Sequence, residues 1–176
     1  MEKYFFSEIK PEYYNSIRQY RDEMLKEKSD FDGCSGLQKF DDIEKWDLEC
    51  KLFERYDTLP PGYSIGFEYL YLLNDEVVGM LNLRPEAESH PFLSKYGGHI
   101  GYSIKPRYRK KGIGTRMLKD FLPICKRQYH LDKVLITCNK NNEGSRRIIL
   151  NNNGVYENDI YYSPDQEYLE RYWITL

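Results

Sequence analysis

The stretch Tyr102-Ser103-Ile104-Lys105-Pro106-Arg107-Tyr108-Arg109-Lys110-Lys111-Gly112-Ile113-Gly114-Thr115 constrains this chain more than any other. His99 to Ile104 reads as a strand, and Met117, Leu118, Phe121, Leu122 and Cys125 fall on one face of a following helix. Between them a basic loop, Arg109-x-x-Gly112-x-Gly114, runs directly into that helix. The pattern suits an anion. Glycines admit main-chain conformations closed to residues with a Cβ. The unpaired N–H groups of a first helical turn point at the anion, and the helix dipole adds to the attraction. Two other phosphate loops do not fit. The Walker pattern is absent, and Met117 stands where the dinucleotide fingerprint has its third glycine.

The rest of the chain reads as alternating elements of one domain spanning residues 1–176. Tyr4 to Ile9 predicts a strand stopped by Pro11, and Glu12 to Lys28 a helix with Tyr13, Ile17, Tyr20, Met24 and Leu25 inward. A Gly/Ser/Asp-rich loop, Ser29 to Gly36, precedes a helix capped by Asp41 or Asp42 and carrying Ile43, Trp46 and Phe53. Phe67–Leu73 and Val77–Leu83 form a hairpin around Asn74-Asp75. Val134–Cys138, Val155–Tyr162 and Tyr168–Ile174 are further strands, with a short helix Glu143–Leu150 stopped by Asn151-Asn152-Asn153-Gly154. Hairpins first and a strand–helix–strand crossover later predict an α+β fold. Pro123 is expected to kink or shorten its helix near Lys119.

Composition narrows the class. Lys and Arg number 26 against 28 Asp and Glu, a net charge of -2, which argues against general nucleic-acid binding. No apolar run is long enough to cross a bilayer, and no leader peptide is expected before the first strand. The four cysteines are scattered without a histidine cluster, so neither a disulfide framework nor a metal site is expected, and the expected compartment is the cytoplasm. Charge is unevenly spread. Lys105 to Lys133 is strongly basic, and Asp30 to Asp57 strongly acidic. The acidic run is either a solvated face or the border of a site for a cation.

Ile104-x-Pro106-x-x-Arg109-x-x-Gly112-x-Gly114 resembles the acyl-coenzyme A signature of the GNAT superfamily of N-acetyltransferases. Leu135-Ile136-Thr137-Cys138-x-x-x-Asn142-x-x-Ser145-x-x-x-Ile149-x-x-x-x-Gly154 resembles that superfamily's next strand and helix. Asp32-Gly33, Pro61-Gly62-Tyr63 and Gly97 to Tyr102 are similar to a bacterial subgroup whose acceptors are undefined. The resemblance implies a mixed, mostly antiparallel sheet of about seven strands with about four helices, splayed at the coenzyme site. It implies transfer of an acetyl group from acetyl-coenzyme A to a primary amine by direct attack, with no metal. The expected acceptor is a small-molecule or peptide amine, cationic if the acidic run and Tyr63 border its cleft. Monomer and homodimer both stay open.

The resemblance also assigns roles. The pantetheine arm would pair with main-chain groups of Tyr102, Ser103 and Ile104 like an added strand. The pyrophosphate would sit on the amides of Lys110, Lys111, Gly112, Ile113, Gly114 and Thr115, with Arg109 adding charge. Asn142 and Ser145 would lie near the pantetheine or its phosphate, although Asn142 also reads as a helix N-cap. His99 is either a general base or a histidine hydrogen-bonded in the sheet. Many members carry a proton-donating tyrosine four residues before the glycine that ends the short helix; here that position is Leu150. Tyr102, Tyr156 and Tyr161 are possible substitutes, or the thiolate leaves unaided, its thiol having a pKa near ~8.5. The missing tyrosine raises an alternative, a non-catalytic module that binds or senses acetyl-coenzyme A. A third reading makes Arg109 to Thr115 a solvated turn on an unrelated fold.

Overall fold

Ile17, Tyr20 and Met24 recur at helical spacing, and all three are fully buried along α1, Tyr14–Lys26, in the computed structural model, which describes residues 3–176. Burying each such side chain contributes about 1.5–3 kcal/mol. The helix expected from Glu12 opens instead with a 3₁₀ turn, Pro11–Tyr13. Proline has no N–H and suits the first turn, where that donor would lack a helical partner anyway. The second helix, α2, spans Ile43–Leu52, and Asp42 caps it by accepting from the Glu44 N–H at 3.0 Å.

The chain divides into two compact units, the first comprising the residues up to Arg84 together with Gly101–Ile113. Its sheet has the order β1-β2-β3-β4, with β1 Tyr4–Ser7, β2 Phe67–Leu73, β3 Glu76–Leu83 and β4 Ile100–Ile104. The β2–β3 hairpin turns on Asn74, whose φ of 54° is left-handed, a conformation asparagine tolerates. β2 is buried on both faces, which is why it reads as a nearly unbroken apolar run. Leu70 and Leu72 belong to the core formed with α1 and α2, and Tyr71 stacks against Tyr4 and meets Phe6 at a tilt.

The second unit comprises Pro85–Ile100 and Gly114–Leu176. It holds all but the first residue of α3, Ile113–Tyr129, with β5 Lys133–Asn139, α4 Glu143–Leu150, β6 Val155–Tyr162 and β7 Glu167–Thr175. Its strands form an antiparallel sheet ordered β5-β7-β6. A π-helical turn, Leu93–Gly97, lies in this unit ahead of His99. The seven described strands are thus antiparallel in two sheets, with four α-helices, in the α+β class anticipated. Pro123 does not shorten its helix, because α3 continues to Tyr129. Pro123 and Lys119 are both exposed, so the carbonyl deprived of its donor lies on the side open to water. Phe121 and Cys125, fully buried, hold the other side.

Candidate active site

The loop after β4 turns on two left-handed residues, Lys110 at φ 59° and Gly112 at φ 79°. At Gly112 the demand for glycine is conformational, since a Cβ there would meet nothing within 4 Å. The main chain is therefore bare and open on that side. α3 starts at Ile113, so the amides of Ile113, Gly114 and Thr115 occupy the turn whose N–H groups have no helical acceptor. Alternating handedness followed by a helix start is a geometry that gathers N–H groups around an anion. The residues fit a phosphate group.

Folding sorts the basic residues of this segment. Lys105 is fully buried, with Nζ 2.7 Å from Oε1 of Glu76. Arg107 also pairs with Glu76, and the Tyr108 hydroxyl donates to Glu76 Oε2 at 2.6 Å. Partial burial would raise the Glu76 pKa, but the hydrogen bonds from Lys105, Tyr108 and Arg107 outweigh it and hold the carboxyl at about 2. Arg109 turns back into the first unit. Its Nε donates to the Ile104 carbonyl at 2.8 Å, Nη1 to Ser29 Oγ at 3.0 Å, and Nη2 reaches Met24 Sδ at 3.3 Å. Lys110 and Lys111 are exposed, Lys111 with its Nζ 5.7 Å from the centre of the Tyr108 ring.

β4 is held by its side chains as well as its ladder. Ser103 is buried, its hydroxyl 2.9 Å from that of Tyr20 and 3.1 Å from Cys34 Sγ, so only its main chain is available to a ligand. The Lys105 N–H donates to the Val78 carbonyl at 2.9 Å. By the alternation of a strand, Ser103 therefore turns its main-chain groups toward β3, and Tyr102 and Ile104 turn theirs to the opposite edge. Gly33, at φ 68°, lies so close to this strand that a Cβ would stand 2.3 Å from the Gly101 carbonyl oxygen.

The acidic run is largely structural. Asp42 is the α2 cap, Asp41 pairs with Arg21 at 2.7 Å, and Asp57 pairs with Arg55 at 2.6 Å. Asp47 is buried, accepting from the Tyr14 hydroxyl at 2.6 Å and from Lys51 at 3.2 Å. Asp32 is different. Its pKa is raised, by desolvation and then by Asp30, while Arg84 acts in the opposite sense. Tyr63 is exposed and meets Phe53 edge-on at 5.2 Å.

In the second unit, His99 is buried and tied twice to Leu135. Its N–H donates to the Leu135 carbonyl at 2.7 Å, and its Nδ1 accepts from the Leu135 N–H at 2.9 Å. Asn142 caps α4, its Oδ1 accepting from the Ser145 N–H at 3.0 Å. Leu150 is exposed on α4. Tyr156 and Tyr161 are exposed on β6, and the Tyr156 hydroxyl donates to Asp159 at 3.0 Å. Among the described residues no helix is long and apolar enough to cross a membrane.

The model of the acetyltransferase (GNAT) family matches residues 17–152, which include most of α1 and all of β4, the basic loop after it and α4. The chain belongs to that family. No curated protein matches its sequence. Solved structures match its fold over nearly the whole chain. A RimL ribosomal L7/L12 α-N-protein acetyltransferase in complex with coenzyme A has a TM-score of 0.70 at 15% identity, covering 98% of this chain and 94% of that one. Mycobacterium smegmatis RimJ in complex with a coenzyme A disulfide has a TM-score of 0.72 at 15% identity, covering 98% and 81%. A spermidine N-acetyltransferase, a SpeG chimera from Vibrio cholerae and hSSAT, has a TM-score of 0.66 at 11% identity, covering 98% and 94%.

One group in this GNAT chain escaped the sequence argument. Glu68 on β2 is buried with Ser35, Asn82 and Arg84 around it. Desolvation raises its pKa well above the ordinary carboxylate range, against the hydrogen bonds of Ser35 and Asn82 and the charge of Arg84. The signal was present. Glu68 is the only charged residue in an otherwise apolar and aromatic strand.

Proposed function

We propose that this GNAT protein is an acetyl-coenzyme A-dependent N-acetyltransferase that moves an acetyl group onto a primary amine by direct attack. The observation that carries the reading is the left-handed pair Lys110 and Gly112 delivering the chain into the helix start at Ile113. In this reading the amides of Lys110 to Thr115 take the pyrophosphate, and Lys110 and Lys111 add mobile positive charge. The main-chain groups of Tyr102 and Ile104 on the edge away from β3 bind the amides of the pantetheine arm. The coenzyme supplies a thioester-activated acetyl group. Arg109 fixes the carbonyl of Ile104 and with it the direction of the strand end. Ser103 contributes by anchoring β4 to Tyr20 and Cys34.

His99 acts here by holding its strand to Leu135, its Nδ1 lone pair being engaged. Asn142 organises the start of α4 by accepting from the Ser145 N–H. The departing thiolate needs no dedicated acid, because a thiol with pKa near ~8.5 is a tolerable leaving group. That coenzyme A complexes exist for RimL and RimJ, and that ribosomal proteins and spermidine are named as acceptors for structural neighbours, supports coenzyme A as donor carrier and an amine as acceptor.

Leu150 at the expected tyrosine position favours one other reading, a module that binds acetyl-coenzyme A without turnover. Calorimetry with coenzyme A and a thiol-release screen over polyamines, amino acids and peptide N-termini separate the two. The transferase reading expects binding that Gly112→Asp abolishes, and thiol release that depends on the amine. Binding without amine-dependent release supports the module, and no binding at all removes both.

A further inference from the structure

Glu68 is 4% exposed, and its Oε1 has no hydrogen-bond partner. The other carboxylate oxygen is well held. Ser35 Oγ donates to Oε2 at 2.6 Å, and Asn82 Nδ2 lies 3.4 Å from that oxygen and 3.2 Å from Ser35 Oγ. Asn82 Oδ1 in turn accepts from Arg84 Nη1 at 3.1 Å. Side chains from a loop, β2, β3 and the residue after β3 thus fix one oxygen of the carboxyl and leave the second without a donor. A buried polar atom left so is uncommon in a folded protein and marks a place where a partner is missing.

Charge says what kind of partner. Arg84 interacts electrostatically with both Glu68 and Asp32, so two carboxyl groups share one guanidinium. Asp32 is exposed, Arg84 half-buried and Glu68 buried, a descent from the surface to the interior. A group that completes the cluster must donate a hydrogen bond to Oε1, as an ammonium does beside two carboxyl groups. The cluster's position is as telling. A Cβ on Gly101 would stand 3.3 Å from Arg84 Nη1 and 3.2 Å from the Gly33 nitrogen, so the cluster abuts the start of β4, immediately before Tyr102.

We infer that Glu68 is the seat and proton acceptor for the acceptor substrate, a cationic primary amine that enters past Asp32 and donates to Oε1. The inference rests on the acetyltransferase reading and deepens it. The ammonium N–H bond breaks as an O–H bond forms on Oε1, and the freed nitrogen lone pair attacks the thioester carbonyl. The C–N bond forms as the C–S bond breaks, with its electron pair leaving on the coenzyme sulfur. The second nitrogen proton ends on that thiolate, and Glu68 returns its own to solvent. Besides Arg84 and Asp32, the titratable groups facing Glu68 are Cys34 on the loop and Cys50 on α2. Burial pushes both thiols up, so both are neutral and neither competes for the proton. An ammonium on Oε1 favours the ionised carboxyl, opposing the burial that raises it.

The test is Glu68→Gln, which keeps shape and the Ser35 contact but cannot take a proton. Coenzyme A binding by calorimetry should match the unaltered protein, while kcat/KM for the amine falls about 100-fold or more and its acid limb disappears. Asp32→Asn should raise KM for cationic amines with kcat little changed, the mark of lost uniform binding. A Glu68→Gln protein with unaltered rate and pH profile overturns this inference alone. An unaltered protein inert toward every amine overturns the transferase reading and this one with it. Should Glu68→Gln fail to fold, Ser35→Ala decides, since an unshifted acid limb in that variant also overturns the assignment.

Discussion

Arg109 Nε donates to the carbonyl of Ile104 at 2.8 Å, so the side chain that heads the phosphate signature is folded back onto the strand preceding it. The remaining guanidinium nitrogens meet Ser29 and Met24. The signature position is therefore a brace between β4, the loop and α1, and in the proposed reading the anion contacts fall to main-chain amides and to Lys110 and Lys111.

A brace and a phosphate ligand respond differently to salt. Arg109→Ala should weaken coenzyme A binding without changing its salt dependence, and lower stability by about 1 kcal/mol. That corresponds to a Tm lower by about 2–4 °C. Lys110→Ala together with Lys111→Ala should flatten the salt dependence and leave Tm nearly unchanged. Calorimetry at two ionic strengths and thermal unfolding check both.

Glu76 collects Lys105, Arg107 and Tyr108, and Lys105 has no exposed surface. Glu76→Gln should cost about 3–5 kcal/mol, because it strands a buried ammonium. The pH dependence has a definite sign. The folded carboxyl titrates at about 2 and the free one at 4.5, so its stabilisation is complete above pH 4.5 and is lost as pH falls toward 2. Urea unfolding across that window should show the loss, and Glu76→Gln should remove it.

His99 accepts a main-chain hydrogen bond at Nδ1, which requires a lone pair there. Nitrogen NMR of the imidazole should find Nδ1 unprotonated at neutral pH. His99→Ala should lower stability by about 1–3 kcal/mol while leaving the shape of the pH–rate profile intact. Loss of a limb of that profile would make His99 a base and refute its positioning role.

Ser103 lies in the strand proposed to bind the coenzyme, yet its hydroxyl faces Tyr20 and Cys34. Ser103→Ala should therefore leave coenzyme A affinity within a factor of about two while lowering stability by about 1 kcal/mol. Titration calorimetry beside urea unfolding distinguishes that outcome from a ligand role.

Much of the architecture was legible because it is local. The burial of Ile17, Tyr20 and Met24 follows from their spacing, the α2 cap from Asp42, and the hairpin from Asn74-Asp75. The turn before α3 was legible for the same reason, since a left-handed glycine before a helix start is a property of a few consecutive residues. The shortening expected at Pro123 does not occur. The proline's helical consequences depend on which side faces water, and sequence neighbours do not say.

What the amino-acid order determined alone was the strands and α-helices, the α+β class and a left-handed glycine leading into α3. Tertiary structure decided which charges are spent and which are not. Glu76 and Glu23, far upstream in sequence, engage Lys105 and Arg107, and Ile104 and Ser29 engage Arg109, leaving Lys110 and Lys111 exposed. Asp41, Asp42 and Asp57 were likewise consumed by pairs and caps, while Asp47 and Glu68 were each left with one unmatched oxygen. The physical reason is that backbone conformation depends on nearby residues, whereas desolvation and pairing depend on groups brought together only when the chain has folded.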